Sequence, residues 1–209
     1  MVNNNGLKPF IIKGGIVKSI NQYYNKKRAR IQSTYDHQGI KSGRSMQKIT
    51  TKRNKKIYDY FHKTSRKIIE YCVMNGIGTI VIGYNSNWKQ NCQIGRRNTQ
   101  NFVTIPYYKL IQQLAYKATE QGLTVIKQEE SYSSKCSFLD NETIEYHNKY
   151  LGRRMTRGLF KSQKGTIINA DVNGAYNILK KAFLNAVDAD RIEDVGLHPT
   201  RWRLAAVTS

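Results

Sequence analysis

The spacing of hydrophobic and polar positions predicts a chain that alternates between helices and short strands. The clearest helical pattern runs from about residue 46 to 75, where Ile57, Phe61, Ile68 and Cys72 mark one apolar face. The same period predicts helices over 18–32, with Ser19 as its N-cap, and over 106–121 and 172–187.

Short apolar runs between these helices predict buried strands over 79–82 and 123–128. A further one or two strands are expected within 7–17, whereas 131–168 has no helical period and the tail from 188 is expected to be loosely held. Strands that alternate with helices indicate an α/β fold with a mixed or parallel sheet. In such sheets ligand chemistry gathers where the strands end.

Composition adds a strong positive charge to this picture. Lys and Arg number 35 against 14 Asp and Glu, so the formal net charge of the 209 residues is +21. The acids up to residue 119 are Asp36, Asp59 and Glu70, which makes the first half a strongly basic body. Such a field favours binding to phosphate backbones. No apolar run reaches membrane length, and three distant cysteines fit a reducing compartment.

Acidic residues follow two of the predicted strands. Glu129 and Glu130 come directly after 123–128, and Asp171 stands at a strand-to-helix junction. Carboxylates at such places can converge on Mg²⁺ or Mn²⁺, and paired ions can promote phosphodiester cleavage. Two other interpretations stay open: Asp171 as the cap of the following helix, and the two glutamates as solvated charges.

Several ordered blocks resemble one known family. The segments ESYSSKCSFLDNE (130–142), RGLFKS (157–162) and INADVNGAYNILKK (168–181) are similar to the carboxyl-terminal part of the TnpB or OrfB family. These are transposon-associated, RNA-guided DNA nucleases related to type V CRISPR effectors and Fanzor proteins. KSINQYYNKKRARIQS (18–33) and RNKKIYDYFHKTSRKII (53–69) resemble the same family's basic linker and long helix.

The resemblance implies an incomplete ribonuclease H-like (RuvC) core over 1–187 that lacks its first strand. A helical insertion would span about 18–76, a zinc-ribbon-like insertion about 131–168, and a tail 188–209. Family members hold two Mg²⁺ with three acids, of which the third corresponds to Asp171. Gly83 occupies the usual place of the second, and Glu130, with Glu129 as its competitor, is the expected substitute. No residue supplies the first acid, so metal binding is expected to be weak or absent.

Many relatives carry a four-cysteine zinc ribbon in the second insertion. This chain has only Cys136 there, with His147 the nearest histidine, and a structural zinc site needs four soft ligands. We therefore expect no structural zinc and a small hairpin or partly disordered segment.

The resemblance also implies DNA and guide RNA as partners. Candidate nucleic-acid contacts are Lys26, Lys27, Arg28, Arg30, Arg53, Lys56, Arg96, Arg97, Arg153, Arg154 and Arg157, all in basic clusters. Candidate base-stacking side chains are Trp88, Tyr107, Tyr108 and Phe160.

The sequence thus predicts the RuvC-like portion of a transposon-encoded, RNA-guided DNA endonuclease. We expect this chain to be truncated, nuclease-deficient alone, cytoplasmic and nucleoid-associated, without a membrane. One alternative is a non-catalytic DNA- or RNA-binding protein, acting as a repressor or as a partner of full-length copies. Another is a basic ribosome-associated protein, which the ordered family blocks disfavour.

Overall fold

The computed structural model describes residues 1–85, 105–192 and 194–204, and Arg96, Arg97 and Trp88 lie outside them. In chain order the elements are β1 (Phe10–Ile12), α1 (Gly15–His37), α2 (Arg44–Met74), β2 (Thr79–Tyr84), α3 (Tyr107–Glu120), β3 (Thr124–Glu129), β4 (Arg153–Thr156), β5 (Leu159–Lys161), β6 (Ile167–Asn169), α4 (Ala170–Ala182), a 3-10 turn (Ala189–Arg191), α5 (Asp194–Leu197) and β7 (Thr200–Trp202). This mixed α/β content confirms the predicted fold class at that level.

The described chain divides into two compact units. One contains all the described strands together with α4 and α5, and the other contains α1, α2 and α3. No helix within the described ranges is long and apolar enough to cross a membrane.

The helical unit forms because α2 presents apolar side chains to two neighbouring helices. It packs against both α1 and α3. Ile57, Phe61 and Cys72, which the period placed on one face, are all buried. Ser19 is not the N-cap of α1: the helix already begins at Gly15, and the Ser19 hydroxyl donates to the Gly15 carbonyl.

The described residues of the strand-bearing unit form three small sheets. β2 and β3 are parallel, with Gly83 opposite Gln128 and Tyr84 opposite Glu129. β4, β5 and β6 form an antiparallel sheet, and β6 leads directly into α4. The main apolar core lies here and includes Phe138, Phe160, Ile168, Val172 and Tyr176.

The prediction of a loosely held tail was wrong as far as Trp202. β7 pairs in parallel with β1, and the Trp202 ring stacks on Phe10 with 3.8 Å between centroids. Leu197 and Ala189 join the core. The last long helix also ends at Ala182, earlier than predicted, because Phe183 takes extended backbone angles.

Candidate functional site

Asp171 lies in the first turn of α4, and the helix cap is a different residue. The side chain of Asn169 accepts hydrogen bonds from the Asp171 and Val172 amides, at 3.0 and 3.3 Å. Asn169 is therefore the N-cap. The Asp171 side chain is 70% exposed, so its carboxylate is free to meet a ligand in solution.

Arg154 faces Asp171 from the neighbouring sheet. Its guanidinium lies 4.0 Å from Oδ1 of Asp171. β4 positions Arg154 because it pairs with β5, which in turn pairs with β6 and so leads to α4. A guanidinium beside an exposed carboxylate offers a second point of contact to a phosphate group.

Glu130 lies against the glycine that occupies the place of the usual glutamate. Gly83 pairs with Gln128, and Glu130 follows two residues later, so alternation brings it to the same face. A Cβ built on Gly83 would lie 2.9 Å from Oε2 of Glu130 and 2.6 Å from Cδ1 of Ile178 on α4. The Glu130 carboxylate therefore reaches the space that a side chain at position 83 would fill.

Glu129 has a different environment. Its carboxylate accepts from Lys181 Nζ at 2.7 Å and from the Ser131 amide at 2.5 Å. These hydrogen bonds, led by that from Lys181, lower the pKa of Glu129 to about 2. Glu129 is thus tied to the end of α4, whereas Glu130 lies at Gly83.

Two asparagines that sequence reasoning missed join α4 to the loop after β3. Asn173 and Asn177 each donate to the Cys136 carbonyl, at 2.9 and 2.8 Å, and Asn177 also donates to the Ser133 carbonyl at 2.9 Å. Asn173 Oδ1 accepts from the Phe138 amide at 3.0 Å. Both are almost fully buried. Their signal in the sequence was an i, i+4 amide pair on an otherwise apolar helix face.

The segment from 131 to 151 is organised around a buried carboxylate. Glu142 accepts from the amides of Ser137 and Leu151, at 2.6 and 2.8 Å. Cys136 is buried and its thiol faces the Glu145 carbonyl, while His147 is partly buried and contacts Thr143. Within the described ranges no group of three or more His, Cys, Asp or Glu side chains is placed to hold a metal.

The predicted nucleic-acid contacts fall into two classes. The exposed cations are Lys26, Lys27, Arg28 and Arg30 on α1 and Arg153, Arg154 and Arg157 on or beside the β4–β5 hairpin. Lys56 and Arg53 on α2 are partly buried. Arg53 Nε donates to Asn21 Oδ1 at 2.8 Å, and this hydrogen bond joins α2 to α1. Partial burial also lowers the pKa of the Arg53 guanidinium.

The base-stacking prediction for Phe160 was wrong. Its ring is fully buried in the core of the strand-bearing unit, where it packs so closely on Gly152 that no Cβ would fit there. Tyr108 is exposed and Tyr107 is partly buried, and burial raises the pKa of Tyr107.

Comparison with known proteins places the chain among transposase-related sequences. The family model OrfB_IS605, described as "Probable transposase", matches residues 1–89. A second model, the Cas12f1-like TNB domain, matches residues 107–178.

Two curated relatives and one solved structure agree with these matches. The CRISPR-associated endodeoxyribonuclease Cas12f1 of Sulfoacidibacillus thermotolerans is 37% identical over 119 residues, or 56% of this chain and 25% of that protein. The TnpB-like protein ORF457 of Acidianus two-tailed virus is 27% identical over 183 residues, or 82% of this chain and 37% of that one. A cryo-EM structure of a Cas12f1–sgRNA–target DNA complex matches with a TM-score of 0.53 and 19% identity, covering 75% of this chain and 40% of that one.

These matches first define a class: a transposase-related protein with a mixed α/β fold like that of Cas12f1. The two family models, the two curated relatives and the structural neighbour together support the TnpB/Cas12 family for this chain. The resemblance found in the sequence is thereby confirmed. The chain spans 25% and 37% of the lengths of the two curated relatives.

Proposed function

We propose that this chain carries the cleavage site of a transposon-associated, RNA-guided DNA endonuclease, built on a RuvC-like core. The position of Glu130 supports this most strongly. Its carboxylate reaches the space that a side chain at position 83 would fill, near the ends of the parallel strands β2 and β3. The helix that contacts Gly83 through Ile178 also carries Asp171 in its first turn.

Asp171 and Glu130 would hold Mg²⁺ or Mn²⁺. Carboxylate oxygens are the ligands these hard cations prefer, and Mg²⁺ is commonly held by one or two carboxylates together with water and substrate phosphates. Asp171 fits because Asn169 caps the helix in its place and because the Asp171 side chain is 70% exposed. A bound ion would supply an activated water and charge neutralisation at the phosphate.

The surrounding residues orient the substrate and the acids. Arg154 would bind a phosphate oxygen next to Asp171, where its guanidinium already lies. Asn173 and Asn177 would keep the loop after Glu130 in register with α4. The Lys181 ammonium group donates a hydrogen bond to the Glu129 carboxylate and keeps it ionised. Because Glu129 is held by Lys181 in this way, Glu130 is the glutamate that we assign to the metal.

DNA and a guide RNA are the proposed partners. The net charge of +21 favours a phosphate-rich ligand, and the structure with the similar fold is of a complex containing an sgRNA and target DNA. We expect the chain alone to cleave slowly or not at all, since the family holds its ions with three acids and Asp171 and Glu130 are two.

Metal binding tests the assignment without requiring cleavage. We would titrate the chain with Mn²⁺ and measure free Mn²⁺ by electron paramagnetic resonance, comparing wild type with Asp171→Asn and Glu130→Gln. Each change should weaken Mn²⁺ binding at least about tenfold, because each removes a charged ligand. Glu129→Gln and Asp190→Asn, which remove the same charge elsewhere, are the controls and should bind as wild type does.

Cleavage of a labelled target DNA with the cognate guide RNA gives the functional readout. Asp171→Asn should remove any Mg²⁺-dependent cleavage that the wild type shows while leaving DNA binding unchanged. Wild-type Mn²⁺ affinity in Asp171→Asn would contradict the site. Loss of binding in Glu129→Gln but not in Glu130→Gln would reverse the choice of glutamate.

A further inference from the structure

A cavity of about 380 Å³ lies within the strand-bearing unit, and we call it the Tyr176 cavity. None of its described lining residues is one of the acids assigned to the metal. Its volume falls in the range of sites that bind small molecules. The described lining comes from the turn at 3–7, from 185–188, from Tyr176 on α4, and from Ile192, Val195 and Gly196.

Local hydrogen bonds hold both walls of the cavity. In the turn at 3–7, Asn3 Oδ1 accepts from the amides of Asn5 and Leu7, at 3.1 and 3.0 Å. On the other side, Asp188 Oδ1 accepts from the Asp190 amide at 3.0 Å and so caps the 3-10 turn. The cavity is therefore bounded by folded segments that belong to one unit.

The Tyr176 hydroxyl group is a polar group that the fold leaves facing this cavity. The residue is only 3% exposed, and its ring stacks on Phe138 with 4.8 Å between centroids. A Cβ built on Gly196, which also lines the cavity, would lie 3.2 Å from the hydroxyl oxygen. Within the described ranges no hydrogen bond of this hydroxyl group is found. Since buried polar groups are normally hydrogen-bonded, its position points to a partner inside the cavity.

Burial also fixes the protonation state of this group. It raises the pKa of Tyr176 to about 12, so the phenol keeps its proton at neutral pH. The hydroxyl group is therefore available as a hydrogen-bond donor, and its oxygen also as an acceptor.

The charge of the lining differs from that of the chain as a whole. None of the described lining residues is Lys, Arg or His, although Lys and Arg make up 35 of the 209 residues. The charged side chain of the described lining is the carboxylate of Asp188. A phosphate group would find no cationic partner there. The lining thus favours an uncharged ligand over an anion.

The remaining side chains suit the edges and faces of a planar heterocycle. Asn4 and Asn185 are exposed and each offers an amide donor and an amide acceptor. Asparagine amides pair in this way with N6 and N7 of adenine. Leu7, Val187 and Ile192 add apolar surface on which the faces of a ring can lie.

We propose that the Tyr176 cavity binds an uncharged nucleoside through its base, with adenine preferred. The hydroxyl group of Tyr176 would donate to a ring nitrogen, and the Asn185 amide would pair with the neighbouring edge. A free nucleoside is favoured over a base within a strand, because a strand would bring phosphate groups close to Asp188. The inference goes beyond the proposed function and does not depend on it.

Isothermal titration calorimetry of the full chain with adenosine tests the proposal. Adenosine should bind with a dissociation constant below about 1 mM. Its affinity should stay the same between about 0.1 and about 0.5 M salt, because an uncharged ligand releases no counterions. At about 0.3 M salt, where the basic surface is largely screened, AMP should bind no more tightly than adenosine.

Two variants remove single groups from the cavity. Tyr176→Phe deletes the hydroxyl group but keeps the ring that packs on Phe138, and Asn185→Ala removes an exposed amide. Each should weaken adenosine binding about fivefold, the effect of one lost hydrogen bond. Tyr146→Phe and Asn148→Ala make the same changes at exposed positions of the same unit and should bind as wild type does.

Several results would overturn the proposal. One is the absence of binding heat for adenosine, guanosine, cytidine and uridine at about 1 mM. Others are wild-type affinity in both cavity variants and an affinity that falls as salt rises. A five-residue adenine strand that displaced adenosine more strongly than AMP does at about 0.3 M salt would show that a strand, and not a free nucleoside, is the ligand.

Mn²⁺ binding separates this inference from the proposed function. Tyr176→Phe should leave Mn²⁺ affinity unchanged, and Glu130→Gln should leave adenosine affinity unchanged, because the two sites share no described residue. Failure of the Mn²⁺ titration would therefore contradict the cleavage site alone, and failure of the adenosine titration would contradict the Tyr176 cavity alone.

Discussion

The region around Glu130 and the α1–α2 pair carry opposite kinds of chemistry and tolerate change differently. Around Glu130, single atoms matter: Gly83 has no room for a side chain beside Glu130 and Ile178. Along α1 and α2, many lysines and arginines share one positive field, so each contributes a part. An acidic site depends on close packing, whereas a basic surface depends on composition and on the few contacts that hold its helices together.

The largest effect in this comparison is expected from Gly83→Ala. The new Cβ would force Ile178 and Glu130 aside, and we expect a loss of about 1–2 kcal/mol in the free energy of unfolding. Gly78→Ala is the control, since a Cβ there meets nothing within 4 Å, and it should change stability by less than about 0.5 kcal/mol. Urea denaturation measures both.

Mn²⁺ titration of the same two variants tests whether the packing at Gly83 also affects the proposed metal site. Gly83→Ala should also weaken Mn²⁺ binding, because Glu130 moves, while Gly78→Ala should not. If both variants were as stable as wild type, the tight packing at Gly83 would be disproved.

A smaller effect is expected where a cation has a structural contact. Arg53→Gln removes the donor to Asn21, which is only 1% exposed, and should cost about 1 kcal/mol of unfolding free energy. Lys55→Gln makes the same charge change at an exposed neighbour and should stay within about 0.5 kcal/mol. Urea midpoints compare the two, and equal midpoints would show that Arg53 does not join the helices.

The smallest effect concerns the pH dependence of stability. Folding lowers the Glu129 pKa from 4.5 to about 2, so the stabilisation is fully present above pH 4.5 and is lost as the pH falls through about 2. Because the carboxylate is 55% exposed, we expect less than about 1 kcal/mol. In Glu129→Gln, urea midpoints at about pH 6 and about pH 3 should therefore differ less than in wild type. The control Glu120→Gln should keep the wild-type difference, and an unchanged difference in Glu129→Gln would contradict the ion pair.

The local pattern of apolar residues was sufficient to predict most of the long helices and the strands β2 and β3. The apolar period placed α2 within about two residues of its observed ends, because i, i+3 and i, i+4 spacing directly records which face is buried. The pattern failed at Phe183, where the backbone becomes extended although the apolar spacing continues. It failed again at β7, because a three-residue strand is stabilised by pairing with β1, which is distant in the sequence.

The candidate site was predictable in kind but not in arrangement. The sequence indicated Asp171 and a glutamate after β3, with Glu130 preferred and Glu129 as its competitor. Only the register of β2 and β3 and the position of Lys181 distinguish them. Asn173 and Asn177 were visible in the sequence only as an i, i+4 amide pair, and their role depends on which carbonyls the fold brings to them.

By itself the sequence determined the basic first half, the four long helices with the β2–β3 pair, and the resemblance to the TnpB family, all of which depend on composition and short-range spacing. Tertiary structure alone decided that Asn169 and not Asp171 caps α4 and that Glu130 meets Gly83. The physical reason is that side chains far apart in the chain meet only when strand register and helix packing are established. No local period records those long-range contacts.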